Sequence, residues 1–269
     1  MSRTPLISLF VFCLLLPCSA SADEEKKESK DDQLKVLVIT GGCCHDYKFQ
    51  SKKMVEAAER HDLPVKWTIV NEGGKGTKAQ IDLYRDPKWA DGFDVVIHNE
   101  CFAGTDNAEY IRKITKAHHD GANAVVIHCA MHTYRSAKID DWRKFLGVTS
   151  KHHEHQSNYP VKVVAKDHPI MQGFPDGYVT PKDELYIVKH VWPNTKILAT
   201  SPSEKPDTVD PQPVFWVNEY GKARVFGTTY GHSNETFADE VFQDTLMRGM
   251  LWAAGRKLPK AKTTAALVE

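Results

Sequence analysis

The chain has no charge excess of either sign: 35 Lys and Arg stand against 35 Asp and Glu in 269 residues. A dedicated nucleic-acid binder shows a basic surplus, so that class is set aside. Cysteine is sparse, with six residues in all, and this excludes a small disulfide-stapled scaffold. The complete dinucleotide fingerprint G-x-G-x-x-G is missing. Gly41-Gly42-Cys43-Cys44-His45-Asp46 lacks the third glycine and reads as a tight strand-to-helix turn. No internal repeat is visible. A 41% hydrophobic content beside 26% charged residues excludes a disordered or collagen-like chain. What is plentiful is histidine: 13 imidazoles in a neutral chain raise the question of whether several share one site.

Residues 1–22 read as an export signal, with Arg3, the short apolar run Leu6 to Leu16 and the Ala20-Ser21-Ala22 cleavage pattern. That run is shorter than the roughly 20 apolar residues that span a bilayer. Cleavage would keep every His and leave Cys43, Cys44, Cys101 and Cys129. The expected location is periplasmic or secreted, where disulfides are permitted. Residues 23–33 form a charged linker, 34–256 the folded domain and 257–269 a loose tail.

Near-continuous apolar runs at Leu34–Thr40, Asp94–Asn99 and Ala124–Cys129 have the pattern of strands buried on both faces. Val65–Val70 is a further strand. Helices are expected over Phe49–Arg60, Thr77–Tyr84, Asn107–Asp120, Lys138–Leu146 and Phe237–Ala254. Short strands are expected at Val161–Ala165, Glu184–Lys189 and Lys196–Thr200, with a hairpin joining Val214–Glu219 to Ala223–Thr228. The fold class is therefore α/β: a flavodoxin-like doubly wound parallel sheet with helices on both faces, closed by a C-terminal β-hairpin and helix.

Open parallel sheets bind ligands beyond the carboxyl ends of their strands. Four such ends carry a His: His45, His98 with Glu100, His128 with His132, and His232 with Glu235. The competing assignments are core histidines for His98 and His128, and a helix cap for His45. His152-His153-Glu154-His155 reads either as a polar surface loop or as the source of one metal ligand. The strand-end cysteines could be disulfide-bonded, buried and reduced, or, at Cys129, nucleophilic.

Four segments together resemble the ThuA-like family, the trehalose-utilisation proteins. They are KVLVITGG with His45, VVIHCAMHTYR, Asp183-Glu184-Leu185-Tyr186, and PVFWVNEYGKARVFGTTYGHSNETF followed by RGMLWAAGR. The resemblance covers Leu34 to Arg256, and the GGCCHDY start is similar to secreted planctomycete-type members. It implies a scaffold like that of class I glutamine amidotransferases. Glutamine hydrolysis is not expected, because the nucleophile position falls at His128 and its flanking glycines are missing.

The resemblance further implies carbohydrate metabolism, in particular 3-keto sugars or trehalose-like glycosides. Proton abstraction beside a carbonyl needs a base and an acid near neutral pKa. On that basis the catalytic candidates are His45, Glu100, His128, His132, Glu184 and His232. Asn99, Arg135, Trp216 and Glu235 are the candidates for binding sugar. A divalent metal, zinc or manganese, could polarise the ketone, with His155 as the loop's contribution. The expected partner is a small carbohydrate, with a homo-oligomer open and no nucleic acid or membrane. The alternative is a carbohydrate-binding protein without catalysis.

Overall fold

A computed structural model describes residues 33–204 and 209–260, together with Met1. The expected leader, nearly all of the charged linker and most of the tail lie outside the described residues. No helix among the described residues is long and apolar enough to cross a membrane.

The chain begins with β1 (Leu34–Gly42), α1 (Tyr47–Arg60) and β2 (Val65–Asn71), followed by β3 (Val95–Cys101), α2 (Ala108–Asp120) and β4 (Ala124–Ile127). Next come α3 (Asp141–Leu146), β5 (Val148–Ser157), β6 (Lys162–Val163), β7 (Asp183–Val191) and β8 (Thr195–Ser201). The last elements are β9 (Gln212–Tyr220), β10 (Ala223–Thr228), α4 (Asn234–Ala238) and α5 (Glu240–Ala253). Eight strands form one sheet in the order β2-β1-β3-β4-β10-β9-β8-β6. From β2 through β10 neighbours run parallel; β9, β8 and β6 then alternate in direction. β5 and β7 form a separate antiparallel pair.

Strand alternation explains the two cores. Val36 and Val38 of β1 face one layer with Met54 and Ala57 of α1 and Leu246 and Met250 of α5. Leu37 and Ile39 face the other, with Ile111 and Ile114 of α2 and Phe145 of α3. Helices thus cover both faces, and the chain reverses its winding between β1 and β3, the place where such sheets open a crevice. Gly41 and Gly42 have φ of 137° and 92° there. A Cβ on Gly42 would sit 2.2 Å from the Cys101 carbonyl oxygen, so only glycine permits this approach.

Three expectations are corrected. The helix expected over Thr77–Tyr84 is a loop with a single 3-10 turn at Asp82–Arg85. The closing helix is two helices, because Asp239 ends α4 and caps α5 by accepting from Phe242 N. The His152–His155 segment is not a loop but part of β5, held by pairing with β7 rather than by any apolar pattern of its own.

Candidate functional site

Three imidazoles meet beyond the ends of β1, β4 and β10. His45 precedes α1, whose N-cap is Asp46. His128 starts the tight turn after β4 with φ of 43°, a left-handed backbone that a non-glycine residue adopts only at a cost. His232 lies between β10 and α4. Their ring centroids are 4.9–5.3 Å apart.

The second nitrogen of each ring fixes its direction. His45 Nδ1–H donates to the His232 carbonyl at 3.2 Å, and His128 Nδ1–H donates to the Thr229 carbonyl at 2.6 Å. A carbonyl can only accept, so Nε2 of both neutral rings carries a bare lone pair. Both Nε2 atoms are buried without a hydrogen-bond partner, as is His232 Nδ1. His232 Nε2 meets the Gln156 side-chain amide at 2.8 Å. An amide offers a donor on one side and an acceptor on the other, so a half-turn of Gln156 serves either tautomer of His232.

Glu184 completes the cluster. Its Oε2 lies 3.2 Å from His232 Nδ1, 3.6 Å from His128 Nε2 and 3.6 Å from His153 Nδ1. Burial alone would push this carboxyl up, but the imidazoles of His128 and His232 outweigh it and hold the carboxyl below its usual range. Pairing with Glu184 raises His232. Burial, assisted by repulsion from His128 and His232, lowers His45 to about 3. A neutral imidazole at pH 7 is the form that binds a cation.

The motif Asp183-Glu184-Leu185-Tyr186 supports this geometry from β7. Residues two apart share a face, so Glu184 and Tyr186 point together. Tyr186 stacks on His132 at 3.9 Å and leans on His128 at 4.3 Å. Asp183, on the opposite face, is fully buried and accepts from Gly231 N, His232 N and Thr236 Oγ1. It therefore fixes the loop that presents His232. Gln50 of α1 donates to the Gly231 carbonyl of the same loop.

Of the residues expected in the site, His45, His128, Glu184 and His232 meet in the cluster. His132 stands one ring behind it, across Tyr186, with Nε2 at 3.0 Å from Ser150 Oγ. Glu100 does not join. It shares the opposite face of β3 with His98, which lies 2.9 Å away, and both are fully buried with Tyr84 and His118. Trp216, expected to stack on sugar, is also fully buried. Its Nε1 donates to the Leu146 carbonyl, and its ring fills the space beside Gly227.

Asn99 is buried and donates to Gln50 Oε1 at 2.8 Å, so it positions α1 rather than contacting ligand. Arg135 is exposed on the rim and donates to the Lys151 carbonyl. Glu235 is exposed in the first turn of α4 and makes none of the cluster's contacts. Of the His152–His155 run it is His153, not the expected His155, that meets the cluster: its Nδ1 lies 3.6 Å from Glu184 Oε2, and Gln156, across a bulge in β5, meets His232. Asp183, Tyr186, His153 and Gln156 are the residues the sequence reading missed. Period-two spacing in Asp183–Tyr186 was the available signal.

The donor atoms of His45, His128 and His232 all lie within 4.8 Å of one another. The bare Nε2 atoms of His45 and His128, together with a ring nitrogen of His232, suit one divalent ion, with Glu184 beside them as a further oxygen donor.

Burial and the charge of Arg135 also hold His132 low, at about 2. The unfolded imidazole takes up its proton near 6.5, the folded one only far below. Stability from this residue is thus complete above pH 6.5 and drains away as pH falls, by about 1.4 kcal/mol per unit. The midpoint of thermal unfolding is expected to fall between pH 7 and pH 5, and less steeply in His132→Gln. Parallel curves for the two proteins would contradict the assignment.

Residues 35–253 match the family ThuA, described as trehalose utilisation. The chain belongs to the ThuA family. No curated protein matches its sequence. Among solved structures, a ThuA-like protein from Parabacteroides merdae is 22% identical with a TM-score of 0.66, covering 86% of this chain and 96% of that one. A ThuA-like protein from Bacteroides uniformis is 15% identical with a TM-score of 0.62, covering 82% and 91%. A GMP synthase protein from Thermoplasma acidophilum is 13% identical with a TM-score of 0.50, covering 82% and 96%. At these identities the likeness is one of fold, and it fits the amidotransferase-like scaffold. In this ThuA chain the sharp turn after β4 carries His128, while the neighbouring Cys129 is bonded to Cys101.

Proposed function

We propose that this ThuA protein is an exported, metal-assisted acid–base enzyme acting on oxidised carbohydrates, with trehalose-like 3-keto sugars as the substrate class. The observation that carries the reading is that ring nitrogens of His45, His128 and His232 lie within 4.8 Å of one another beside the Glu184 carboxylate, with Nε2 of His45 and of His128 buried without a hydrogen-bond partner. The donor set fits zinc or manganese held by His45, His128 and His232. Such an ion supplies polarisation of a ketone oxygen and so acidifies the adjacent C–H.

The chain's own residues do the rest. Glu184, held ionised, pairs with His232 Nδ1 and stands 3.6 Å from His128 Nε2, where its oxygen adds to the donor set. His153 stands on the solvent side of Glu184 with its Nδ1–H committed to the Glu154 carbonyl at 2.8 Å, which leaves the lone pair on Nε2 for general-base work. Arg135 and Gln156 line the exposed rim where sugar hydroxyls would arrive. The carbohydrate assignment draws on the family's description; the leader in the sequence supports export.

The test is an NMR time course of a 3-keto-disaccharide with the purified protein, with and without added zinc or manganese. New carbohydrate resonances are expected in the metal-loaded sample, with the rate falling at least about 100-fold in His153→Ala. No change across a panel of keto sugars would overturn the reading, and saturable binding without turnover would reassign the protein as a carbohydrate binder.

A further inference from the structure

Four sulfurs lie together at the ends of β1, β3 and β4, and the proposed chemistry uses none of them. They are paired as Cys43–Cys44 and Cys101–Cys129. The two pairs differ in access. Cys44 is exposed and Cys43 half-buried, whereas Cys101 and Cys129 are both buried. They are also in contact: Cys43 Sγ is 3.7 Å from Cys101 Sγ, and Tyr47 packs over Cys43, Cys101 and Cys129. The Tyr47 hydroxyl donates to the Cys43 carbonyl at 2.8 Å and holds that loop down on the inner pair. The inner sulfurs in turn lie within 4.8 Å of a ring nitrogen of His45.

We propose that Cys43–Cys44 is the surface port of a thiol–disulfide relay, through which an external dithiol reduces the buried Cys101–Cys129 pair beside His45. One thiolate of the dithiol attacks exposed Cys44 Sγ, and the Cys43–Cys44 bond breaks with Cys43 leaving as thiolate. The second thiolate of the reductant closes its own disulfide and releases Cys44 as thiolate, so two electrons have entered the outer pair while the reductant's two protons pass to solvent.

Cys43 thiolate then attacks Cys101 Sγ across the existing contact, and Cys129 leaves and takes up a proton. Cys44 thiolate next attacks Cys43, re-forms the outer disulfide and expels Cys101, which is protonated in turn. The net change is one dithiol oxidised to its cyclic disulfide and one buried disulfide reduced to two thiols. The result places two sulfur donors next to an imidazole of the His cluster, so the reducing state of the surroundings selects the donor set at His45. The relay stands on the placement of the sulfurs and holds whether or not the cluster binds a metal.

The experiment treats the oxidised full-length chain with dithiothreitol, quenches with acid at intervals, and labels thiols after denaturation for peptide mass spectrometry. Reduction of Cys101–Cys129 is expected to be at least tenfold slower in the Cys43→Ser/Cys44→Ser double variant than in wild type. Equal rates would overturn the relay. In Cys44→Ser, which removes only the exposed resolving sulfur, a Cys43–Cys101 linked peptide is expected to accumulate with Cys129 labelled. Reduction of the inner pair without that linked species would overturn the relay even if the double variant failed to fold.

Discussion

Replacing His128 by Ala is expected to weaken binding of a divalent ion by at least about 100-fold, measured by competition with a chromophoric chelator. Three constraints make this ring costly to lose. Its Nδ1–H is committed to the Thr229 carbonyl, its face leans on Tyr186, and its side chain is entirely buried. The bare Nε2 therefore has one direction available, toward the point shared with His45 and His232. His132 cannot substitute: its Nε2 is engaged with Ser150 and it sits behind Tyr186. His132→Ala is accordingly expected to leave the affinity within about tenfold, the range of changes that act only through an outer layer of contacts. Equal losses in the two variants would mean that the ion sits elsewhere.

The second large effect is expected from Asp183→Ala, a loss of about 3–5 kcal/mol of stability and a fall in melting temperature on the order of 10 °C. Asp183 is fully buried and accepts from two backbone amides of the His232 loop, from Thr236 Oγ1 and from Glu184 N. Alanine leaves these buried donors without their acceptor. The loop should then lose its fixed position, and metal affinity should fall along with stability. Asp183→Asn keeps one accepting oxygen and is expected to lose less. Thermal denaturation followed by circular dichroism measures the effect, and a drop under about 1 kcal/mol would show that the loop is held by something else.

The parallel half of the sheet was legible because β1, β3 and β4 are buried on both faces and so read as unbroken apolar runs. β5 was not legible: Lys151 to Ser157 is polar throughout, and its strand form comes from pairing with β7 far along the chain. The same limit governs the site. That His45, His128 and His232 follow strand ends is a local fact, and the fold rule that brings such ends together is general.

Which face a side chain takes depends on register. Glu100 is next to Cys101 in sequence, yet it points into the opposite layer with His98. Trp216 fell to the core for a comparable reason: Gly227 directly opposite it on β10 leaves a space that only a large ring fills. His153, not His155, meets the cluster beside a bulge, and a bulge leaves no mark in a run of polar residues.

The central claim is that His45, His128 and His232 together hold one divalent ion. X-ray absorption at the metal edge of the zinc-loaded, oxidised full-length protein tests it most directly. The account predicts one ion per chain with a first shell of nitrogen and oxygen at about 2.0–2.1 Å and the outer-shell scattering of three imidazoles. A sulfur shell near 2.3 Å in the oxidised protein, or a first shell without imidazole scattering, would contradict it.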